Sequence, residues 1–527
     1  MKRRQFMRGA ALTGAGILLH QRSVWAGRTA RARLLLQGAT IYDGTGRPPI
    51  TADVAVEGDR ITGLGRRLPV QGAEIIDLRG LALAPGFIDI HSHTDRVLLA
   101  NPRAEAKVRQ GVTTEIAGQD GSSVTDPPGF MAQLEAAPAA VNWASMVGAG
   151  SIRERVIGND DRPPTADELQ RMAAEVRAAL QAGAVGLSSG LEYTPGGFAR
   201  IDELIALAAP LKGTGLPYAT HMRNEDDELL ASIEEAIGVA RRAGVPLQIS
   251  HLKVQGGRNW WKTEAVIALI EQAAARGTDV MFDRYPYIAY QTGLANMFPL
   301  WARDGGNEAF LKRLDDPASA ARIEAYVRDK VDELGSWDAV MVTSTSEAAG
   351  FARGQRLGTL AKARGIEPYA LLLEITRLDQ NRTGMVGFGM SEETTEPILA
   401  HPLCMICSDG GARATATGST HPRSYGTFPR VLGYYVRERK LMPLATAIHK
   451  MTLMPARRVK LAGRGVIQVG AFADLVAFDP QRVRDTAAFD APHQYPAGIP
   501  HVWVNGAQVV RDGEHTNMRP GRVLRPA

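Results

Sequence analysis

Cysteine is nearly absent from this chain. Only Cys404 and Cys407 occur among its 527 residues, both in "HPLCMICSDG". Their C-x-x-C spacing can signal redox chemistry or metal binding. The run reads as a strand, however, and strand residues three apart point to opposite faces about 10 Å from one another, beyond disulfide reach. The pair is therefore read as buried packing residues. Long apolar runs are missing too: after the first 26 residues nothing approaches the roughly 20 uninterrupted apolar residues of a membrane span. Net charge is also lacking once the N-terminus is set aside. Residues 1–26 carry five Lys and Arg and no acids, so the formal charge of +5 falls to 5 − 5 = 0 for the remainder. A neutral chain gives no reason to invoke nucleic acid. No internal repeat is visible.

The N-terminus itself is distinctive. "MKRRQFMRGAALTGAGILLHQRSVWA" opens with Lys2, Arg3, Arg4 and Arg8, continues with an apolar stretch over residues 9–19 and ends in small residues near Ala26. That is the layout of a cleaved export signal, too short to span a bilayer. Adjacent arginines followed by Phe6 resemble a twin-arginine signal. The expectation is export through the twin-arginine machinery to the periplasm or medium.

The remainder is ordinary globular sequence, long enough for one large domain and a smaller one. Residues 27–84 run as short alternating segments such as "ADVAVEGDRITGLG", a period-two texture broken by Gly and Asp that indicates antiparallel β structure. The same texture returns over 456–527, where "VNGAQVVRDG" reads as a hairpin turning at Asn505-Gly506. One small β domain built from both ends is expected. The middle, 85–455, alternates strands with helices. In "TADELQRMAAEVRAALQAG", Thr165 and Glu168 form a capping box, apolar residues follow at helical spacing, and Gly183 closes the helix. Eight candidate strands can be counted: "GFIDIHSH", "TTEIAGQD", "NWASMVGAG", "AVGLSSG", "LPYATH", "LQISH", "DVMFDRYPY" and "LCMICSDG". Eight strands separated by helices favour an α/β fold of the TIM type, a (β/α)8 barrel. A helical stretch at about 296–338 without a clear strand reads as an insertion or lid.

Polar residues gather at the carboxyl ends of these strands. His91 and His93 end the first, Asp120 the second, His221 the fifth, His251 the sixth and Asp409 the eighth. Such barrels carry their active sites at that end. Residues i and i+2 on a strand share a face, so both imidazoles of His91 and His93 can reach one ion, and His221 and His251 come from adjacent strands. A bound divalent ion lowers the pKa of its water toward 7 and polarises a carbonyl. Each residue alone is a weak signal; the joint pattern reads as a metal site.

The segments "APGFIDIHSHTD", "GVTTEIAG", "GLSSGLEYTPG", "THMRNE", "ISHLK", "DRYPY", "CSDG" and "HPRSYGTFPRVLG" resemble the N-acyl-D-amino-acid deacylases, or D-aminoacylases, of the amidohydrolase superfamily. The resemblance runs over almost all of residues 35–525. It implies a TIM-type barrel, a β-sandwich from both termini, zinc, and amide hydrolysis of a small N-acyl amino acid. Carried over residue by residue, His91, His93, His221 and His251 match metal ligands, and Asp409 matches the catalytic acid/base and can also ligate. Lys253, Tyr285 and Arg423 match groups that hold the substrate α-carboxylate, for which an arginine offers a bidentate fork. Three positions depart from the pattern. Asp120 stands where the family usually has a Cys ligand, Ala149 where a His is frequent, and Gln291-Thr292 where Ser-Thr is usual. A carboxylate at 120 can bridge two ions and shifts preference from zinc toward manganese or other oxygen-tolerant ions. Its alternative role is to bond a ligand histidine or cap the turn "DGSS". Cyclic amide hydrolysis is the rival reading, but such relatives usually place a carboxylated Lys on the fourth strand and "AVGLSSGLEY" has none. Dipeptidase-like activity and a non-catalytic metal-binding role complete the alternatives.

Overall fold

The computed structural model describes residues 33–527 apart from residues 96 and 414–418. The export signal expected at 1–26 lies outside the described residues. Five strands open the described chain: β1 (Arg33–Ile41), β2 (Ile50–Glu57), β3 (Arg60–Gly65), β4 (Glu74–Asp77) and β5 (Ala82–Pro85). They join four from the other end, β18 (Leu475–Phe478), β19 (His501–Val504), β20 (Ala507–Arg511) and β21 (Glu514–His515), in one hydrogen-bonded order β21-β20-β19-β18-β5-β1-β2-β3, with β4 against β1. The two chain ends meet where β5 pairs antiparallel with β18. Leu36, Val54, Ile61, Leu83, Leu475 and Trp503 fill the core of this β domain. The β19–β20 turn is Asn505-Gly506 as expected, both residues with positive φ (47° and 80°), the backbone that suits a tight hairpin.

Between the two halves lie the barrel strands: β6 (Phe87–Asp89), β7 (Val112–Ala117), β8 (Asn142–Ser145) with its continuation β9 (Val147–Gly148), β10 (Leu187–Gly190), β11 (Tyr218–His221), β12 (Leu247–Ile249), β13 (Val280–Arg284) and β17 (Cys404–Ile406). All neighbours are parallel. β8 and β9 are one run interrupted at Met146, so the strand count is eight. The barrel closes where the Asp409 N–H donates to the His91 carbonyl (2.9 Å) and the His93 N–H to that of Gly410 (3.2 Å). That closure brings the first and last strand ends, both rich in candidate ligands, side by side. The helix over Ala166–Ala182 has the capping box of Thr165 and Glu168 and ends at Gly183 with φ 107°. Cys404 and Cys407 are free and buried in different apolar clusters, the first among the outer helices, the second with the barrel interior.

Residues 296–338 are helical and hold no strand, as expected, but the insertion between β13 and β17 is wider than that span. It holds helices such as Pro317–Leu334, but also β14 (Tyr290–Gly293), β15 (Val340–Val342) and β16 (Gly384–Gly387), an antiparallel sheet that extends the inserted layer well past residue 338. These strands are three or four residues long and pair with partners more than forty (β15–β16) or ninety (β14–β16) positions away, so no local periodicity announces them. Among the described residues no helix is long and apolar enough to cross a membrane.

Candidate active site

The strand-end residues converge. His91, Asp120, His251 and Asp409 offer ligand atoms that all lie within 4.8 Å of one another, and all four are buried. Asp120 Oδ2 is the hub, 3.3 Å from Nε2 of His91, 3.3 Å from Nε2 of His93 and 3.4 Å from Nε2 of His251. Asp409 Oδ1 lies 3.0 Å from His93 Nε2 and 3.6 Å from His91 Nε2. His221 joins through Nδ1, 2.9 Å from His251 Nε2. Three of these residues, Asp120, His251 and Asp409, have positive φ (53°, 33° and 49°), a strained backbone that turns the chain inward just after a strand.

The outward nitrogens of the buried histidines each face a carboxylate. His91 Nδ1 is 3.3 Å from Asp283 Oδ1, His251 Nδ1 is 3.1 Å from Glu225 Oε1, and His221 Nε2 is 3.3 Å from Glu192 Oε2. A carboxylate behind a ligating imidazole favours the tautomer whose far N–H points at it, and so leaves the near nitrogen free for a metal. None of Glu192, Glu225 and Asp283 was marked by the strand-end pattern. Asp283 carries a signal that could have been read, since it shares a strand face with Tyr285. Glu225 opens a run of four consecutive acids, and no spacing or residue type separates it from Asp226, Asp227 and Glu228.

The electrostatics match a cation site. Burial opposes charge on His91, yet Asp120 and Asp283 outweigh it and raise its pKa well above the usual imidazole range. Burial opposes charge on His93 as well, but Asp120 and Asp409 lift it to about 9. Burial works against ionised Asp409 too, yet Arg423 and the neighbouring histidines hold it far below the ordinary carboxylate range. Positive charge at the centre is thus favoured by the surrounding acids, and four inward imidazole nitrogens with two carboxylates form a donor set suited to one or two divalent ions.

The expected substrate-holding residues divide. Arg423 is 3% exposed, pairs with Asp409 Oδ2 at 2.7 Å and lines a cavity of about 530 Å3 together with His93, Asp120 and Asp409. Its amide donates to His421 Nδ1 (3.0 Å), while His421 Nε2 bonds the Ala289 carbonyl (2.9 Å), so the start of the Arg423–Arg430 helix is pinned. Tyr285 is buried with its ring 4.7 Å from the Arg423 guanidinium, and its hydroxyl has no hydrogen-bond partner among the described residues. Lys253 is placed differently: its ammonium bonds both oxygens of Glu225 (2.6 and 2.7 Å) and lies 2.6 Å from His251 Nδ1. Ala149 is buried beside the Gly121 loop, where Gly148 and Gly150 leave no space for a Cβ against the Gly121 carbonyl. Gln291 accepts from the His421 amide through its side chain and from Arg423 through its carbonyl.

An amidohydrolase-family profile matches residues 74–510. The chain belongs to the amidohydrolase family, on its N-acyl-D-amino-acid deacylase branch. It is 37% identical to a D-aminoacylase of Alcaligenes xylosoxydans xylosoxydans over 93% of this chain and 97% of that one. A crystal structure of N-acyl-D-glutamate deacylase from Bordetella bronchiseptica, complexed with zinc and a phosphonate mimic of the tetrahedral intermediate, superposes with a TM-score of 0.81 at 32% identity, covering 94% of this chain and 100% of that one. A D-aminoacylase crystal structure gives a TM-score of 0.80 at 36% identity, covering 93% and 99%. For this amidohydrolase the barrel with its terminal β domain is therefore the family architecture, and the histidine–carboxylate cluster lies at the carboxyl ends of the barrel strands.

Proposed function

We propose that this chain hydrolyses the amide bond of N-acyl-D-amino acids, giving a free D-amino acid and a carboxylate. The observation that carries the reading is the position of Asp409. One carboxylate touches the histidine cluster through Oδ1 and the buried guanidinium of Arg423 through Oδ2, so a group that can move protons stands between a cation site and a carboxylate anchor. His91, His93, Asp120, His221 and His251, with Asp409, are the residues that would hold zinc or another divalent ion. Such an ion, when bound, supplies Lewis acidity toward the acyl carbonyl and lowers the pKa of bound water. Asp409 accepts the proton of the attacking water at Oδ1 and returns it to the leaving nitrogen, as C–N cleavage requires. Arg423 and the unpartnered hydroxyl of Tyr285 grip the α-carboxylate, which fixes the Cα and with it the handedness accepted. Cyclic amide hydrolysis through a carboxylated lysine lacks support, since β10 reads "LSSG".

The test is a panel of N-acetyl-D- and N-acetyl-L-amino acids, dipeptides and hydantoins, assayed with zinc, manganese or cobalt added. Turnover confined to the D-series is expected. Turnover confined to dipeptides or hydantoins overturns the reading. We also propose export by the twin-arginine route, on the support of Arg3-Arg4 and the apolar stretch that follows. N-terminal sequencing of periplasmic protein should find a start close to residue 27, and a retained Met1 in that fraction overturns it.

A further inference from the structure

We infer that the buried cluster of Lys107, Asp89 and Glu115 positions the cation site, by holding the backbone that carries His91, His93 and Asp409. The inference rests on the metal reading of that site and not on the substrate. Lys107, Asp89 and Glu115 are each fully buried, and so are Ser92, Thr94 and Ser408, the residues they bond. Burying three ionisable groups is costly, and apolar side chains of similar volume would often fill the space as stably. Closing the barrel therefore does not by itself account for them. What distinguishes them is which residues they hold. Ser92 stands between the two ligand histidines and Thr94 follows them, while Ser408 and Gly410 flank Asp409.

The cluster has two arms. On one, Glu115 of β7 accepts through Oε1 from the hydroxyls of Ser92 and Thr94, at 2.7 Å each. These two residues alternate with His91 and His93, so the hydroxyls take one face of the run and the imidazoles the other. On the second arm, Asp89 of β6 accepts from Ser408 twice, from its N–H at 2.8 Å and from its hydroxyl. That hydroxyl accepts in turn from the Gly410 N–H (3.0 Å) and from Lys107 Nζ (2.7 Å). Lys107 donates its other two protons to Asp89 (2.7 Å) and to the Gly410 carbonyl (2.9 Å), and lies 3.1 Å from Glu115, so it joins the arms. Both neighbours of Asp409 are thus clamped. Asp409 has a φ of 49°, a left-handed backbone that a non-glycine residue keeps only where its surroundings over-determine it. The clamp supplies that constraint, and the Asp409 carboxylate is left 3.0 Å from the His93 imidazole.

Three full-length variants separate positioning from stability. Glu115→Met keeps the length of the side chain but offers no acceptor oxygen. Ser408→Ala removes the hydroxyl at the centre of the clamp. Gly521→Ala disturbs the chain at the far end of the barrel, where a Cβ would lie 2.0 Å from the Val141 carbonyl oxygen. Each is read for melting temperature, for the zinc dissociation constant by chelator competition, and for the visible absorption of the cobalt-loaded protein, which reports coordination geometry. Both cluster variants should weaken zinc by about ten-fold or more, the range usual for outer partners of metal ligands, and should alter the cobalt spectrum. Gly521→Ala should lower the melting temperature and leave both metal readings at wild-type values. Wild-type zinc affinity in Glu115→Met overturns the histidine arm, whatever its melting temperature, and in Ser408→Ala it overturns the Asp409 arm. An equal loss of zinc affinity in Gly521→Ala shows that affinity follows overall stability, and overturns both. If Glu115→Met does not fold, Ser92→Ala/Thr94→Val removes the same two bonds from the other side. A wild-type chain that binds no zinc removes the metal reading and this inference with it.

Discussion

Asp120 is the residue whose chemistry departs furthest from what the family resemblance implies. One of its oxygens stands within 3.4 Å of three imidazole nitrogens, and the other, Oδ1, is buried without a hydrogen-bond partner among the described residues. Both facts suit a ligand or bridge better than a turn cap. A carboxylate is harder than a thiolate, so the site should tolerate manganese more readily than a sulfur-bearing one. Asp120→Ala should lose at least one metal per chain and most activity, while Asp120→Cys should regain metal with a stronger zinc preference. Equal metal content and unchanged preference in all three proteins would remove Asp120 from the ligand set. Asp409→Asn should keep the fold and much of the metal but lower kcat by on the order of 10²–10⁴-fold, the usual share of a general acid/base; unchanged turnover on the best substrate denies it that role. Arg423→Lys should raise KM far more than it moves the melting temperature, because lysine keeps the charge but not the planar fork. The residues that face the centre were legible from sequence, since period two and strand-end placement put them on one face. Of those behind them, Asp283 shares a strand face with Tyr285 and so left a trace. Glu192 and Glu225 left none, because they face the far nitrogens of histidines, a relation set by three-dimensional ring orientation.

At the scale of elements, a single buried lysine braces the barrel's closure. Lys107 sits in the short helix Glu105–Val108 after β6, fully buried. Its ammonium bonds Asp89 Oδ2 on β6 (2.7 Å), Ser408 Oγ (2.7 Å) and the Gly410 carbonyl (2.9 Å) beyond β17, and lies 3.1 Å from Glu115 on β7. Glu115 in turn accepts from Ser92 and Thr94, the neighbours of His91 and His93. Lys107→Met would leave two buried carboxylates without their cation, which costs on the order of 3–5 kcal/mol. The denaturant midpoint should fall accordingly, and a midpoint equal to wild type would show that the cluster contributes no net stability. Helices and hairpins of the fold were readable where their punctuation is local: the capping box at Thr165, Gly183 and Gly244 in left-handed conformation, Asn505-Gly506 at the turn. The β14–β16 sheet was not readable, because its strands acquire meaning only from partners far along the chain.

At the scale of the whole molecule, the two ends of the chain lock the β domain to the barrel, and the last residues take part. Gly521 N–H donates to the Ala139 carbonyl (2.8 Å), Trp143 N–H to that of Arg522 (2.9 Å) and Leu524 N–H to that of Trp143 (2.7 Å), so the tail runs as an extra strand beside β8. Arg522 also reaches Asp59 of the β domain (2.6 Å), and Asn505 bonds both Asn142 (2.7 Å) and the Pro520 carbonyl (2.8 Å). The chain approaches so closely that a Cβ on Gly521 would lie 2.0 Å from the Val141 carbonyl oxygen. The contacts on this side of the barrel reach no further along β8 than Trp143, its second residue, and so stay at the end opposite the histidine cluster. Removing residues 519–527 should therefore strip buried β8 backbone groups of their partners, at about 1–3 kcal/mol for each group left unsatisfied. The melting temperature and the resistance to thermal inactivation should drop. KM and metal content per folded chain should stay at wild-type values, because no tail residue reaches the cavity. Gly521→Ala should move the same two stability readings in the same direction. An unchanged melting temperature would show the tail to be ornamental to stability, and a raised KM at a temperature where the truncated chain is folded would show that the two ends of the barrel are coupled.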